Sequence, residues 1–128
     1  MEKPYEIGVS PDETYIYARV LKQSYTAQLA FKIAEEMVAF GEILSILGCL
    51  IDIRGTESVS SVVEKYKFAH EKAPTIGLPR HWQIAFLTDD GDNSPDFIET
   101  VMENAGYMFQ VFDNEHEALD WLRRSLSN

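Results

Sequence analysis

The chain has 128 residues, 45% of them hydrophobic and 25% charged, which suits one ordinary globular domain with one core. It carries 21 acidic against 11 basic side chains, a formal net charge of -10. That excess repels nucleic-acid phosphates and anionic lipid surfaces, so neither is expected as a partner.

The N-terminal ten residues, MEKPYEIGVS, lack an apolar segment with a cleavage site, so no signal peptide is expected. Within them YEIGV, residues 5–9, reads as a short strand, and SPDE as a turn. TYIYARVL follows and alternates. Ile16, Ala18 and Val20 fall on one side, and Tyr15, Tyr17 and Arg19 on the other. The two strands are expected to form a hairpin. From Ser24 to Leu44 the period lengthens. Leu29, Ile33, Met37, Phe40 and Leu44 lie three or four apart, as on one helix face. Phe31 and Val38 fall outside that stripe and share a second face, since they are about two turns apart. That face needs a second contact, from the next helix around Phe68 or from a second copy of the chain in a homodimer.

CLIDI is the third strand, and a second helix is expected from about Val59 to Lys72. QIAFLT is the fourth strand. A third helix runs from Pro95 to Ala105, with Ser94 as its N-cap. MFQVF is the fifth strand. The last helix lies in DNEHEALDWLRRSL, where Asn114 and Glu117 have capping-box spacing. Strands and helices thus alternate along a single domain, residues 1–128. The class is α/β, with a mixed, mostly parallel sheet of about five strands and about four helices. No run of about 18 apolar residues occurs, so no transmembrane segment is expected. Together with a single cysteine, Cys49, in an apolar strand, this favours the cytoplasm.

No catalytic constellation stands out. Asp89, Asp90, Asp92 and Asp96 crowd the end of the fourth strand and the start of a helix. Hard cations want carboxylates, so a metal-dependent enzyme is one reading. The spacing fits no calcium loop, and acidic residues also suit a polar turn before a helix N-terminus. We therefore expect no metal, no cofactor and no catalytic residue. His70, His81 and His116 lack ligand spacing. Ser58, Ser60 and Ser61 sit where the second helix begins. Ser61 and Glu64 have capping-box spacing, which makes helix caps the first expectation. In the third strand Asp52 and Arg54 are two apart and point to the same side, away from Cys49, Ile51 and Ile53. With Arg19 on the neighbouring strand, Asp52 is expected to form an ion pair and to have a lowered pKa.

The series LIDIRG, a helix beginning in serines, QIAFLTD, DFIETVMENAGY and VFDNEHEALDWL resembles the SpoIIAA-like proteins. These belong to the STAS superfamily, the anti-sigma factor antagonist fold. The resemblance runs from about Glu6 to Leu126. It implies a non-enzymatic domain with strands adjacent in sequence order and helices mainly on one sheet face. The antagonists are switched by phosphorylation of a serine at the start of the second helix. Ser58 and Ser60 are the positional matches, although the glycine that follows in the antagonists is missing from TESVSSVV. The SpoIIAA-like group is also similar to CRAL-TRIO lipid-binding domains, which implies an apolar pocket under mobile helices. Phe31, Val38 and Phe68 are the ligand-binding candidates on that reading. Two functions are thus expected in order. The first is a binding domain for a small apolar or lipid-like ligand, held between helices and sheet. The second is a protein–protein regulatory module switched at a serine.

Overall fold

The computed structural model describes residues 4–21, 24–58, 61–91 and 96–126, and the side chains of all but Ser58, Ser125 and Leu126 among them. Two strands, β1 (Tyr5–Val9) and β2 (Ile16–Val20), form the expected antiparallel hairpin. Its turn is tied by Asp12, whose Oδ1 accepts from the hydroxyls of Ser10 at 2.8 Å and Thr14 at 2.7 Å. Then comes β3 (Ser24–Tyr25), followed by the long helix α1 (Ala27–Leu44). The helix begins three residues later than its periodicity suggests. Ser24 and Tyr25 pair instead, in parallel, with β5 (Glu57–Ser58), and Thr26 becomes the N-cap, accepting from the Leu29 N–H at 3.1 Å.

The third expected strand is β4 (Gly48–Asp52). After β5 the chain is helical from Val62 to Thr75 in three parts. These are α2 (Val62–Lys67), a π-helical turn (Phe68–Lys72) and α3 (Ala73–Thr75). Strand β6 (Gln83–Leu87), α4 (Asp96–Asn104), β7 (Met108–Phe112) and α5 (Glu115–Leu126) complete the chain. The expected cap Ser94 and the helix start at Pro95 lie outside the described residues.

The main sheet has the order β1-β2-β4-β6-β7, with every pair parallel except the first. That order dictates where the helices go. Each parallel crossover steps one strand in the same direction. Right-handed crossovers in one direction all pass over one face. α1, the segment 62–75 and α4 therefore share a face, where Leu29, Ile33, Met37, Ala69 and Met102 build the larger core. Helix α5 follows the last strand and is bound by no crossover. It covers the opposite face, where Ala118 and Leu122 pack on Leu50, Ala85 and Leu87. The α/β class, the mixed five-stranded sheet and the placement of helices mainly on one face hold as expected.

Strand parity follows the sequence alternation. Cys49, Ile51, Ile84 and Phe86 face the larger core, and Leu50, Asp52, Ala85 and Leu87 face α5. On α1 the expected stripe holds for Leu29, Ile33 and Met37. It fades at Phe40, which is half-buried, and Leu44 is 44% exposed. The helix has run past the sheet by that point. Gly41 lies where the Trp82 indole crosses α1; a Cβ there would overlap the ring. The helix ends at Ser45, which takes a left-handed conformation at φ 57°.

Candidate functional site

Residues Ala27, Ala30 and Ala34 are spaced i, i+3 and i+7, so they share one face of α1. Their methyl groups stop short of the sheet below. An apolar cavity fills the gap. Its volume is about 60 Å³ for the positions a water centre can take, within about 740 Å³ of atom-free space that includes the open mouth. The floor is the helix-covered side of the sheet, with Cys49, Ile51, Ile84, Phe86 and Phe109. Rings on the floor interlock: Phe86 meets Phe109 at 5.4 Å and Tyr25 edge-on at 5.7 Å. Trp82 and Leu78 close one end, and Ile98 and Met102 of α4 close a side.

The mouth is formed by Glu64, Lys65 and Phe68, from α2 and the π-turn. Here the structure is loosely built. α2 buries none of its residues and leaves Val62, Val63 and Tyr66 more than half exposed. It is held beside α4 and at its two ends. At the front, Ser61 and Glu64 form a full capping box: the Ser61 Oγ accepts from the Glu64 N–H at 3.1 Å, and Glu64 Oε1 from the Ser61 N–H at 2.9 Å. At the back, the fully buried Ala69 and Ala73 pin the helical segment to the core. Between them the ladder widens, and the Ala73 N–H reaches back to the Phe68 carbonyl. Such wide turns recur at functional sites, because they relax helical geometry in one place.

The cavity's chemistry is that of a container. Burial pushes the Cys49 thiol up to about 12, so while it is covered it stays protonated and is a poor nucleophile at neutral pH; reaction with a thiol reagent needs the cavity to open. Burial, with a smaller contribution from Cys49, likewise raises Tyr25. No group on the floor can take up or release a proton near neutrality.

Of the three ligand candidates from the sequence, Phe68 lines the mouth. Val38 is buried in the larger core, and Phe31 packs under the Lys72 ammonium, 5.9 Å from its ring centre. Neither lines the cavity. Of the second face of α1, Phe31 meets the π-turn at Lys72 and Val38 joins the larger core. Ser58 sits in β5 ahead of the helix, and Ser60 lies outside the described residues. Sequence reading missed the alanine stripe, Tyr25 and Trp82. Only the stripe has a signal in the sequence, its i, i+3, i+7 spacing.

On the other face the charged residues meet as expected. Asp52 is buried, and Arg54 grips it with two parallel bonds, Nε to Oδ1 at 3.0 Å and Nη2 to Oδ2 at 2.8 Å. The Arg54 N–H adds a third at 3.0 Å, and Arg19 Nε lies 3.5 Å from Oδ2. Burial alone would raise the Asp52 pKa. The bonds from Arg54 and the charge of Arg19 outweigh it and hold the carboxyl below its ordinary value. Arg54 also reaches Glu115 at 2.7 Å, which ties the start of α5 to the end of β4. A cleft of about 170 Å³ beside this cluster is lined by Tyr15, Tyr17 and Leu119.

The acidic loop shows a structural role for one member. Asp89 Oδ2 accepts from the Gly55 N–H at 2.8 Å and joins the loops after β4 and β6. Asp90 is exposed and Asp92 lies outside the described residues. Among the described residues no three His, Cys, Asp or Glu side chains are grouped to hold a metal ion. No helix among them is long and apolar enough to cross a membrane. The chain matches no family model, and no curated protein or solved structure is significantly similar to it.

Proposed function

We propose that the chain is a non-enzymatic, SpoIIAA-like binding domain of the cytoplasm that holds a small apolar molecule between its helices and sheet. The observation that carries this is the apolar cavity under α2. Dense packing is the rule in protein interiors. A cavity lined by apolar groups stays dry and takes apolar guests. Its mouth is bordered by a helix with no fully buried residue, an element suited to local opening. The buried, protonated Cys49 fits a container and not a catalyst. The serine-switch reading concerns Ser58, which sits in β5, and Ser60, which lies outside the described residues; no observation among the described residues favours it.

Native mass spectrometry of protein purified from its own cells tests this. The expected result is a mass adduct that is lost on denaturation and that slows the reaction of Cys49 with a thiol reagent. Protein with no adduct, whose Cys49 reactivity and melting temperature no apolar compound changes, would refute it. An added phosphate on a serine would favour the regulatory module instead.

A further inference from the structure

We propose that the cavity selects a flat, unsaturated ring system over a saturated chain or ring of the same size. This rests on the reading of the cavity as an apolar ligand site.

Three observations carry it. The first is shape. Alanine methyls form one wall, from Ala27, Ala30 and Ala34, and a pleated sheet forms the other. Two low-relief surfaces facing each other make a slot, and a slot fits a plate better than a coil. The second is the lining. Tyr25, Phe68, Trp82, Phe86 and Phe109 present rings to the space, and Met37, Cys49 and Met102 present sulfur. Aromatic groups attract one another edge-to-face and offset, and sulfur sits well at a ring edge. The resident rings already use this geometry, with Tyr25 and Phe86 inclined at 62°. A planar guest extends that network, and a saturated guest cannot. The third is the placement of polarity. The charged residues of the lining, Glu64 and Lys65, are both at the mouth on α2. A ring bearing one polar group can bury its flat body and leave that group at the rim.

Size adds a condition. An apolar cavity of about 150 Å³ admits benzene. This one, at about 60 Å³, is smaller when closed. A ring enters only if the Val62–Lys67 helix yields, which its lack of buried residues allows.

The test compares benzyl alcohol with cyclohexylmethanol, two molecules of one skeleton that differ in the ring. Dissociation constants come from the shift of the Trp82 indole N–H resonance, and protection of Cys49 from a thiol reagent reports occupancy. Cyclohexylmethanol is the more hydrophobic, so transfer from water alone ranks it first. We expect the reverse order, with benzyl alcohol tighter by roughly two- to tenfold. Phe86→Leu, which removes a floor ring while keeping an apolar side chain, should lose that preference and still protect Cys49. Equal binding, or tighter binding of cyclohexylmethanol, overturns the ring selectivity and leaves the apolar site standing. Failure of both compounds to bind, at concentrations that saturate a weak apolar site, overturns the site as well.

Discussion

Asp52 shows how a charge survives in a central strand. Its carboxylate is buried, but both partners keep water: the Arg54 side chain is 37% exposed and that of Arg19 is 58%. That decides the size of the effect. Breaking a fully buried pair costs about 3–5 kcal/mol, because the remaining charge has no solvent. Here the orphaned guanidiniums stay hydrated, so Asp52→Ala should cost less, about 1.5–3 kcal/mol, the range for hydrogen bonds to charged groups. Urea unfolding with an unchanged slope measures it. The sign with pH follows from the lowered pKa. The folded carboxyl titrates below its unfolded value, near 3.8. Its contribution is whole above that value and is lost as pH falls through the folded pKa. The stability gap between wild type and Asp52→Asn should therefore narrow with acidification and stay flat above about pH 5. Gly41 is the second informative residue. Alanine is the better helix former by about 1 kcal/mol, so propensity favours Gly41→Ala. The Trp82 ring occupies the space that the new methyl needs. Overpacking costs about 1–3 kcal/mol, so the clash should win and stability should fall. Trp82 also lines the cavity, so its fluorescence should change in this variant. An unshifted spectrum with raised stability would show that the ring steps aside freely.

At the scale of elements, α2 is lightly anchored. It rests on a capping box, on a two-residue strand pair before it, on the π-turn behind it and on α4 beside it. Replacing Ser61 by Ala removes the cap at a cost of about 1 kcal/mol. Every opening that melts α2, local or global, breaks this cap, so both become easier by the same amount. We expect Cys49 to react about fivefold faster in Ser61→Ala, with global stability lower by about 1 kcal/mol. A global loss with no gain in reactivity would mean that the reagent reaches Cys49 without α2 opening. The sequence showed this capping box plainly, because Ser61 and Glu64 carry the signal in four residues. It showed the sheet equally well. Alternation in β2 and β4 assigned Ile16, Ala18 and Ile51 to one face and Arg19 and Asp52 to the other. Other parts were hidden for physical reasons. The strands β3 and β5 are two residues each, too short for any period. The π-turn FAHEK has no breaker residue, and its wide ladder comes from packing at Ala69 and Ala73. Phe31 and Val38 shared a helical face in the sequence. The second contact of that face turned out to be close packing, since Val38 joins the core and Phe31 meets Lys72. A void is a property of three elements at once, and the periodicity of one helix cannot announce it.

At the scale of the whole molecule, the two faces of the sheet contrast. On the α5 face Ala118 and Leu122 are fully buried, the Arg54–Glu115 pair locks one edge, and the cleft that remains is lined with charged and hydroxyl groups from Arg19, Asp52, Glu115, Tyr15 and Tyr17. The other face holds three crossing helical segments and leaves an apolar space. A chain selected for stability alone would fill that space, since one larger side chain on α1 suffices. Ala30 is the position for it: it is half-buried, lines the cavity and sits in a helix that leucine suits almost as well as alanine. Each buried CH₂ contributes about 0.8 kcal/mol, so Ala30→Leu should gain roughly 1–2 kcal/mol after the entropy of ordering the side chain. For a chain of this size that raises the melting temperature by roughly 3–8 °C. The same leucine occupies the slot between α1 and the sheet, so benzyl alcohol should no longer protect Cys49. A variant that melts higher and no longer binds is the expected trade of activity against stability. If Ala30→Leu melts lower and binds as before, the side chain has turned away from the cavity. If it melts higher and the unaltered chain never bound, the space under α2 is a packing fault, maintained by no function.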